Sequence, residues 1–166
     1  IDIFNYSYGY STCQIAAISS SLLNALEVGA RTARDGLGAI YVKAAGNDYS
    51  GTQSECSGGN KDFYYFGNSN FDQENATPYT IIVGASTSSG VSADYSSPGA
   101  NLWITAPGGE MDETSTSQEG LISTDLTGCA KGYSKSNSQF SFENGSHSLN
   151  KNCNYTSTLE GTSFAS

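Results

Sequence analysis

The apolar residues of the first third of the chain follow a strand–helix–strand pattern. Residues 2–9 begin as an apolar run and end in Ser and Gly, and residues 39–45 form a second apolar, β-prone run. Between them, apolar residues recur every three or four positions from 14 to 35, which predicts an amphipathic helix that ends at Gly36. A β-α-β unit of this kind has parallel strands joined by a right-handed crossover.

Two further apolar runs, 79–85 and 101–105, predict additional strands joined through a turn at 97–99. Residues 121–126 predict a short strand, and residues 109–121 a polar loop. The long loop 48–77 contains an aromatic cluster, which we expect to pack against the sheet: Phe63, Tyr64, Tyr65, Phe66 and Phe71. With no internal repeat and no linker, the chain is predicted to be one α/β unit with a three-layer, mostly parallel twisted sheet and flanking helices.

Small and polar residues follow the predicted strands at the positions where α/β proteins keep their chemistry. Asn47 ends the string Ala44-Ala45-Gly46-Asn47, and Ser7 follows the first strand. Because the carboxyl ends of parallel strands meet at one edge of a sheet, Ser7 and Asn47 are expected close together. The string Gly161-Thr162-Ser163-Phe164-Ala165 places a serine among small residues on a turn that opens a helix, which suits a nucleophile.

The order and spacing of five segments resemble the subtilisin-like (S8) serine peptidases. These segments are residues 2–9, 39–47, 80–85, 102–108 and 161–166, and the resemblance covers essentially all 166 residues. The most specific matches are the strings that end at Asn47 and surround Ser163. Within the family, Asp2-Ile3, the cysteine placements and residues 122–126 resemble the kexin-like branch. The resemblance implies that residues 1–166 are the C-terminal part of a catalytic domain, from the substrate-binding strand to the nucleophile.

The resemblance also assigns roles to the matching residues. It implies that Ser163 is the nucleophile, that Asn47 donates to the oxyanion, and that an extended substrate pairs with Ser7-Tyr8-Gly9. Ala45 and Gly46 would form part of the wall of the first specificity pocket. Kexin-like enzymes place acidic groups just after that substrate-binding string, whereas Tyr10-Ser11-Thr12 follows here. We therefore expect an uncharged, roomy first pocket. Asp48 and Glu55 are the acids best placed to take over part of the role of the acidic groups of kexin-like enzymes.

The general base of such a peptidase is not recognisable in these residues. The single histidine, His147, follows Asn47 instead of preceding the substrate-binding strand, so it is interpreted as a surface-loop residue. Asp2 lies too late in the family order to be the catalytic aspartate. The resemblance implies that both catalytic partners lie upstream, and that this segment by itself is inactive.

Four cysteines occur without spacing that suggests zinc. In a secreted enzyme of this family they predict two disulfides. Cys129 and Cys153 bracket a polar insertion, so their pairing would close a loop worth roughly 3 kcal/mol, and Cys13 with Cys56 is the remaining pair. The two other pairings, and four reduced thiols in a cytosolic protein, stay open alternatives.

Composition limits the partners. Hydrophobic residues make up 37%, which indicates a modest core beneath polar loops, and the net charge of −9 disfavours nucleic acid. No apolar stretch is long enough to span a membrane. The resemblance implies a polypeptide substrate, a secreted or periplasmic location, a propeptide in the full-length protein and no required cofactor, although calcium commonly stabilises the family.

Two other classes of function are alternatives to a peptidase. A catalytically dead, subtilase-like binding or structural module would use Ser163 only as a turn residue, and its upstream sequence would lack the catalytic Asp and His. An acidic lectin-like sandwich is disfavoured by the β-α-β unit and by the single tryptophan.

Overall fold

A computed structural model describes residues 1–10, 15–49, 67–110 and 120–166. Four strands form one parallel sheet in the order β1-β2-β3-β4, and two more form a separate antiparallel pair, β5-β6. The strands are β1 Ile3–Tyr6, β2 Ile40–Ala44, β3 Thr80–Ser86, β4 Leu102–Pro107, β5 Leu121–Thr124 and β6 Tyr155–Leu159. The helices are α1 Ser20–Thr32 and α2 Thr162–Ala165, with a short 3-10 helix at Ser69–Phe71.

The predicted β-α-β unit and mostly parallel sheet are confirmed. β1 pairs in parallel with β2, so that Ile3 stands opposite Ile40, and β3 pairs in parallel with both β2 and β4. Most residues of β3 are buried, as expected for a strand with a neighbour on each side. Because all four strands run the same way, their carboxyl ends share one edge of the sheet, which we call the carboxyl edge.

Helix α1 is shorter than predicted at both ends. It begins after Ser19, whose side-chain oxygen accepts a hydrogen bond from the Leu22 N–H at 3.2 Å and so caps the helix. It ends at Thr32, with Ala33 as its C-cap, and Arg34 and Asp35 then adopt left-handed backbone angles before Gly36. The periodic spacing of apolar residues before Ser19 therefore extended the prediction too far toward the N-terminus.

A small core joins α1 to the sheet. Leu26 of α1 packs with Tyr41 of β2 and with Ala39, which directly precedes β2. The Tyr41 ring stacks on Phe4 and Tyr6, with ring centroids 5.1 and 6.3 Å away. Such aromatic pairs supply much of the apolar contact in a core that has few large aliphatic residues.

The insertion, which we define as residues 128–153, is closed at its base by a disulfide and joined to β6 by a buried carboxylate. Cys129 and Cys153 form the predicted disulfide, whereas Cys13 and Cys56 lie outside the described residues. Glu143 is 1% exposed and accepts hydrogen bonds from three hydroxyls and one backbone N–H. These bonds satisfy a carboxylate that would otherwise be costly to bury. Strand β6 was not predicted from sequence.

The aromatic cluster of the long loop is only partly described. Phe71 ends the 3-10 helix and lines the cleft treated below, while residues 63–66 lie outside the described residues.

We predict an acid-sensitive contribution from Asp125, which anchors the start of the insertion. Its carboxylate accepts backbone N–H groups of Ser134, Leu126 and Tyr133, each at 2.7 Å, and these bonds lower its pKa below the usual 3.8. A carboxyl group with a lowered folded-state pKa stabilises the native state above pH 3.8. This stabilisation is lost as the pH falls through the folded pKa.

Asp125→Asn should therefore lower the thermal unfolding midpoint at neutral pH, and the difference from wild type should shrink below pH 3.8. Asp35→Asn, at an exposed turn, controls for the loss of one negative charge. A difference between Asp125→Asn and wild type that is the same at every pH would contradict the assignment.

Candidate active site

The carboxyl edge of the sheet forms a cleft of about 230 Å³. One wall is the segment that follows β1, another is the segment that follows β2, and the turn before α2 closes the end. All seven residues that the sequence predicted for the site line this cleft: Ser7, Tyr8, Gly9, Ala45, Gly46, Asn47 and Ser163. Strands and turns far apart in sequence thus bring the predicted residues together.

Asn47 is fixed by the residue that precedes the serine. Its side-chain oxygen accepts hydrogen bonds from the Thr162 N–H at 2.9 Å and from the Thr162 hydroxyl at 2.7 Å. The same hydroxyl accepts the Gly46 N–H at 3.2 Å. Because Oδ1 is held by Thr162, the Nδ2 group is turned toward Gly161, where a Cβ would stand only 3.2 Å from it. The amide is therefore an oriented hydrogen-bond donor.

Ser163 lies in the first turn of α2. Gly161 precedes the helix with φ of 138°, a backbone angle that L side chains rarely adopt, so glycine is required there. The Ser163 hydroxyl donates to the Ser7 carbonyl at 3.3 Å, and the Ser7 hydroxyl donates to the Ser163 carbonyl at 3.1 Å. The serine thus faces the segment predicted to bind substrate.

The described residues that line the cleft include no histidine. His147 lies in the insertion, where its Nδ1 accepts the Leu149 N–H at 3.3 Å and its ring lies against Phe142. These contacts agree with its interpretation as a loop residue. A backbone carbonyl, the partner of the Ser163 hydroxyl, is not a general base.

A buried ion pair forms the floor beneath Gly9, and the sequence reasoning missed it. Lys43, 2% exposed, donates to the Asp72 carboxylate at 2.7 Å and to the Asn75 side-chain oxygen at 2.6 Å, while the Glu74 carboxylate lies 3.9 Å away. A Cβ on Gly9 would stand 3.7 Å from Asp72 and 3.8 Å from Lys43. The signal available in sequence was a lysine within the apolar run 39–45.

Tyr8 covers this ion pair from the solvent side. The Lys43 ammonium lies 5.3 Å from the centre of its ring, a cation–π arrangement. Burial and the neighbouring Glu74 carboxylate raise the pKa of Tyr8 to about 12. The phenol is therefore neutral throughout the physiological pH range.

The prediction of an uncharged first pocket stays a prediction, since it concerns only one part of the cleft. Asp48 and Asp72 both line the cleft. Lys43 compensates the charge of Asp72 from beneath the cleft. This ion pair was not foreseen, because a lysine on β2 and an aspartate 29 positions later share no local pattern. Glu55 lies outside the described residues.

The described ranges contain neither a cluster of metal ligands nor a membrane-spanning helix. No group of three or more His, Cys, Asp or Glu side chains there is arranged to hold a metal ion. The described residues therefore do not supply a calcium site of that kind. None of the described helices is both long and apolar enough to span a bilayer.

The sequence matches the subtilase family (peptidase S8) over residues 1–166, and the chain belongs to that family. Among curated relatives, it is 32% identical over 169 residues to the Aeromonas extracellular serine protease of Aeromonas sobria, covering 98% of this chain and 27% of the relative. It is 33% identical over 132 residues to the microbial serine proteinase of Aeromonas salmonicida, covering 76% of this chain and 21% of the relative.

The fold agrees with this assignment. The crystal structure of the serine protease of Aeromonas sobria superposes with a TM-score of 0.75 at 30% identity, covering 98% of this chain and 28% of that chain. The predicted subtilisin-like fold is thereby confirmed. The chain spans about a quarter of the length of these relatives.

We predict that Lys43 is required for stability because it compensates buried carboxylates. Lys43→Met leaves Asp72 buried beside Glu74 without its cation, and removing one partner of a buried pair costs about 3–5 kcal/mol of unfolding free energy. Asp72→Asn added to Lys43→Met should recover part of that loss. The measurement is urea-induced unfolding of the intact protein.

Arg31→Met is the matched control, because it breaks an exposed ion pair with Glu27 and should change the unfolding free energy by less than about 1 kcal/mol. If Lys43→Met destabilised the protein no more than Arg31→Met, the compensating role would be refuted.

Proposed function

We propose that this chain is the nucleophile-bearing part of a serine endopeptidase that cleaves peptide bonds through an acyl-enzyme. The observation that carries the proposal is the link from Asn47 to Thr162, which sets an oriented amide beside the serine that follows Thr162. Both groups line the cleft of about 230 Å³. Family membership supports a serine peptidase chemistry at this cleft.

The reaction uses the cleft as follows. An extended polypeptide pairs with Ser7-Tyr8-Gly9 as an added strand, which presents its carbonyl carbon to the Ser163 hydroxyl. As the oxygen of Ser163 attacks, its proton passes to a histidine, and the Asn47 amide donates to the oxygen that becomes negative. The leaving amine takes that proton from the histidine as the peptide bond breaks. Water then hydrolyses the ester and regenerates the serine.

The histidine and the aspartate that orients it are supplied, in this proposal, by sequence that precedes residue 1 in the full-length protein. The substrate is a polypeptide, and the reaction requires no cofactor. The name of the Aeromonas sobria relative and the Cys129–Cys153 disulfide support an extracellular location in this proposal, since disulfides persist in oxidising compartments. A propeptide, as expected for a secreted peptidase of this family, completes the proposal.

The assignment of Ser163 is tested with a fluorophosphonate probe on the full-length protein. We expect one label per molecule, located on the peptide that contains Ser163, and no label in Ser163→Ala. The 166-residue segment alone should give no Ser163-dependent turnover of a generic peptide substrate, because it lacks the general base. A folded full-length protein that the probe does not label would favour the binding or structural module instead.

The role of Asn47 is tested by two substitutions in the full-length protein. Asn47→Ala should lower kcat by about 10²–10³ with little change in KM, a magnitude taken from the loss of such a donor in subtilisin, a member of the same family. Asn47→Asp keeps the acceptor that Thr162 uses but lacks the amide donor, so it should be as impaired as Asn47→Ala.

Recovery of kcat in Asn47→Asp would mean that Asn47 only anchors Thr162. A rise in KM with kcat preserved would assign Asn47 to ground-state binding of the substrate.

A further inference from the structure

A buried tyrosine hydroxyl lies at the junction of three backbone segments behind the cleft. Tyr95, 7% exposed, accepts the Gly161 N–H at 2.9 Å, and its hydroxyl lies 2.8 Å from the Gly108 carbonyl and 2.6 Å from the Gly109 carbonyl. Burial raises the pKa of Tyr95, so the hydroxyl stays protonated and can donate. The ring packs with Ala85 and Ala93, and Ala165 of α2 packs against the same cluster.

The hydroxyl acts on the turn that carries the serine. Gly161 stands two residues before Ser163, and its N–H is shared between Tyr95 and the Gly108 carbonyl, the latter at 2.9 Å. Gly108 has no room for a side chain, because a Cβ would stand 2.4 Å from the Ala85 Cβ and 2.9 Å from the Tyr95 oxygen. Tyr95 thus holds the turn that carries Ser163 at a fixed distance from the ends of β3 and β4.

The same segment also holds the residues around Asn47. The Tyr95 carbonyl accepts the Tyr49 N–H at 3.2 Å. Two residues later, the Ser97 N–H donates to the Gly46 carbonyl at 3.0 Å, and the Ser97 hydroxyl accepts the Asp48 N–H at 3.2 Å. Residues 95–97 therefore bond to the backbone on both sides of Asn47 and, through Tyr95, to the turn of Ser163.

We propose that Tyr95 is a positioning residue that holds the Ser163 turn in register with the loop of Asn47. The inference rests on the proposed peptidase function. Tyr95 does not line the cleft as described, so it acts through Gly161 and not on substrate. Nucleophilic attack depends steeply on geometry, since a misplacement of about 1 Å can lower the rate about 10²-fold.

Tyr95→Phe in the full-length protein removes one oxygen and leaves the ring packed with Ala85 and Ala93. Because Gly161 keeps its bond to the Gly108 carbonyl, we expect the turn to loosen without being displaced, and kcat per fluorophosphonate-titrated site to fall about tenfold with KM within about twofold. Hydrogen–deuterium exchange of the Gly161 N–H should become faster. All measurements are made well below the unfolding midpoint.

Tyr41→Phe is the matched control, because it removes the hydroxyl of another buried tyrosine, one that packs against α1. It should leave kcat per titrated site and the exchange of Gly161 unchanged. If Tyr95→Phe lowered only the unfolding midpoint, with kcat per titrated site equal to wild type, the positioning role would be overturned.

The exchange measurement separates this inference from the peptidase proposal. A wild-type protein that the probe does not label would overturn the peptidase function and with it the catalytic consequence of Tyr95. Equal exchange of Gly161 in Tyr95→Phe and wild type would overturn the anchoring itself, whatever the activity.

Discussion

The hydrogen bonds from Thr162 to the Asn47 side chain join two segments separated by 115 positions in the sequence. They depend on the parallel arrangement of β1 to β4, because only a shared carboxyl edge brings the end of β2 beside the start of α2. They also fix the orientation of the Asn47 amide, with its oxygen on Thr162. An amide held in this way is a preorganised donor, which needs no reorientation when charge develops on a substrate.

The cleft is supported by buried polar contacts on two sides. Beneath Gly9, Lys43 carries the positive charge that allows Asp72 to remain buried next to Glu74. Behind the turn of Ser163, the Tyr95 hydroxyl accepts the Gly161 N–H and lies beside Gly108, where a side chain would not fit. Groups held by packed, hydrogen-bonded neighbours keep their geometry better than groups on free loops, which suits a site whose chemistry depends on small distances.

Much of the fold could be predicted because its signals are local. Apolar runs of strand length gave β1 to β4, and the crossover helix between the first two fixed their parallel direction. The Cys129–Cys153 disulfide was one of several open pairings, favoured because these two cysteines flank a polar insertion. The start of α1 was placed too early because apolar periodicity continues past Ser19, where the side-chain cap decides the boundary. Strand β6 was missed because Tyr155–Leu159 is rich in Thr and Ser and lacks an apolar run.

The meeting of Ser7 and Asn47 was also predictable, since parallel strands place both at one edge, whereas Ser163 was assigned by its motif. The supporting contacts of the site were not predictable. Lys43 with Asp72, and Tyr95 with Gly161, pair side chains and backbone across distant segments, and nothing in the local sequence specifies such a partner. The acidic lining of the cleft was foreseen at Asp48 and not at Asp72, whose counter-ion lies on a distant segment.

The most direct test of the account is a crystal structure of the full-length protein with a phosphonyl group attached to Ser163. We expect the phosphonyl oxygen that stands in for the oxyanion within about 2.7–3.1 Å of the Asn47 Nδ2, with Oδ1 still bonded to Thr162. An adduct whose oxygens all point away from Asn47, or an Asn47 amide turned so that Oδ1 faces the adduct, would contradict the account.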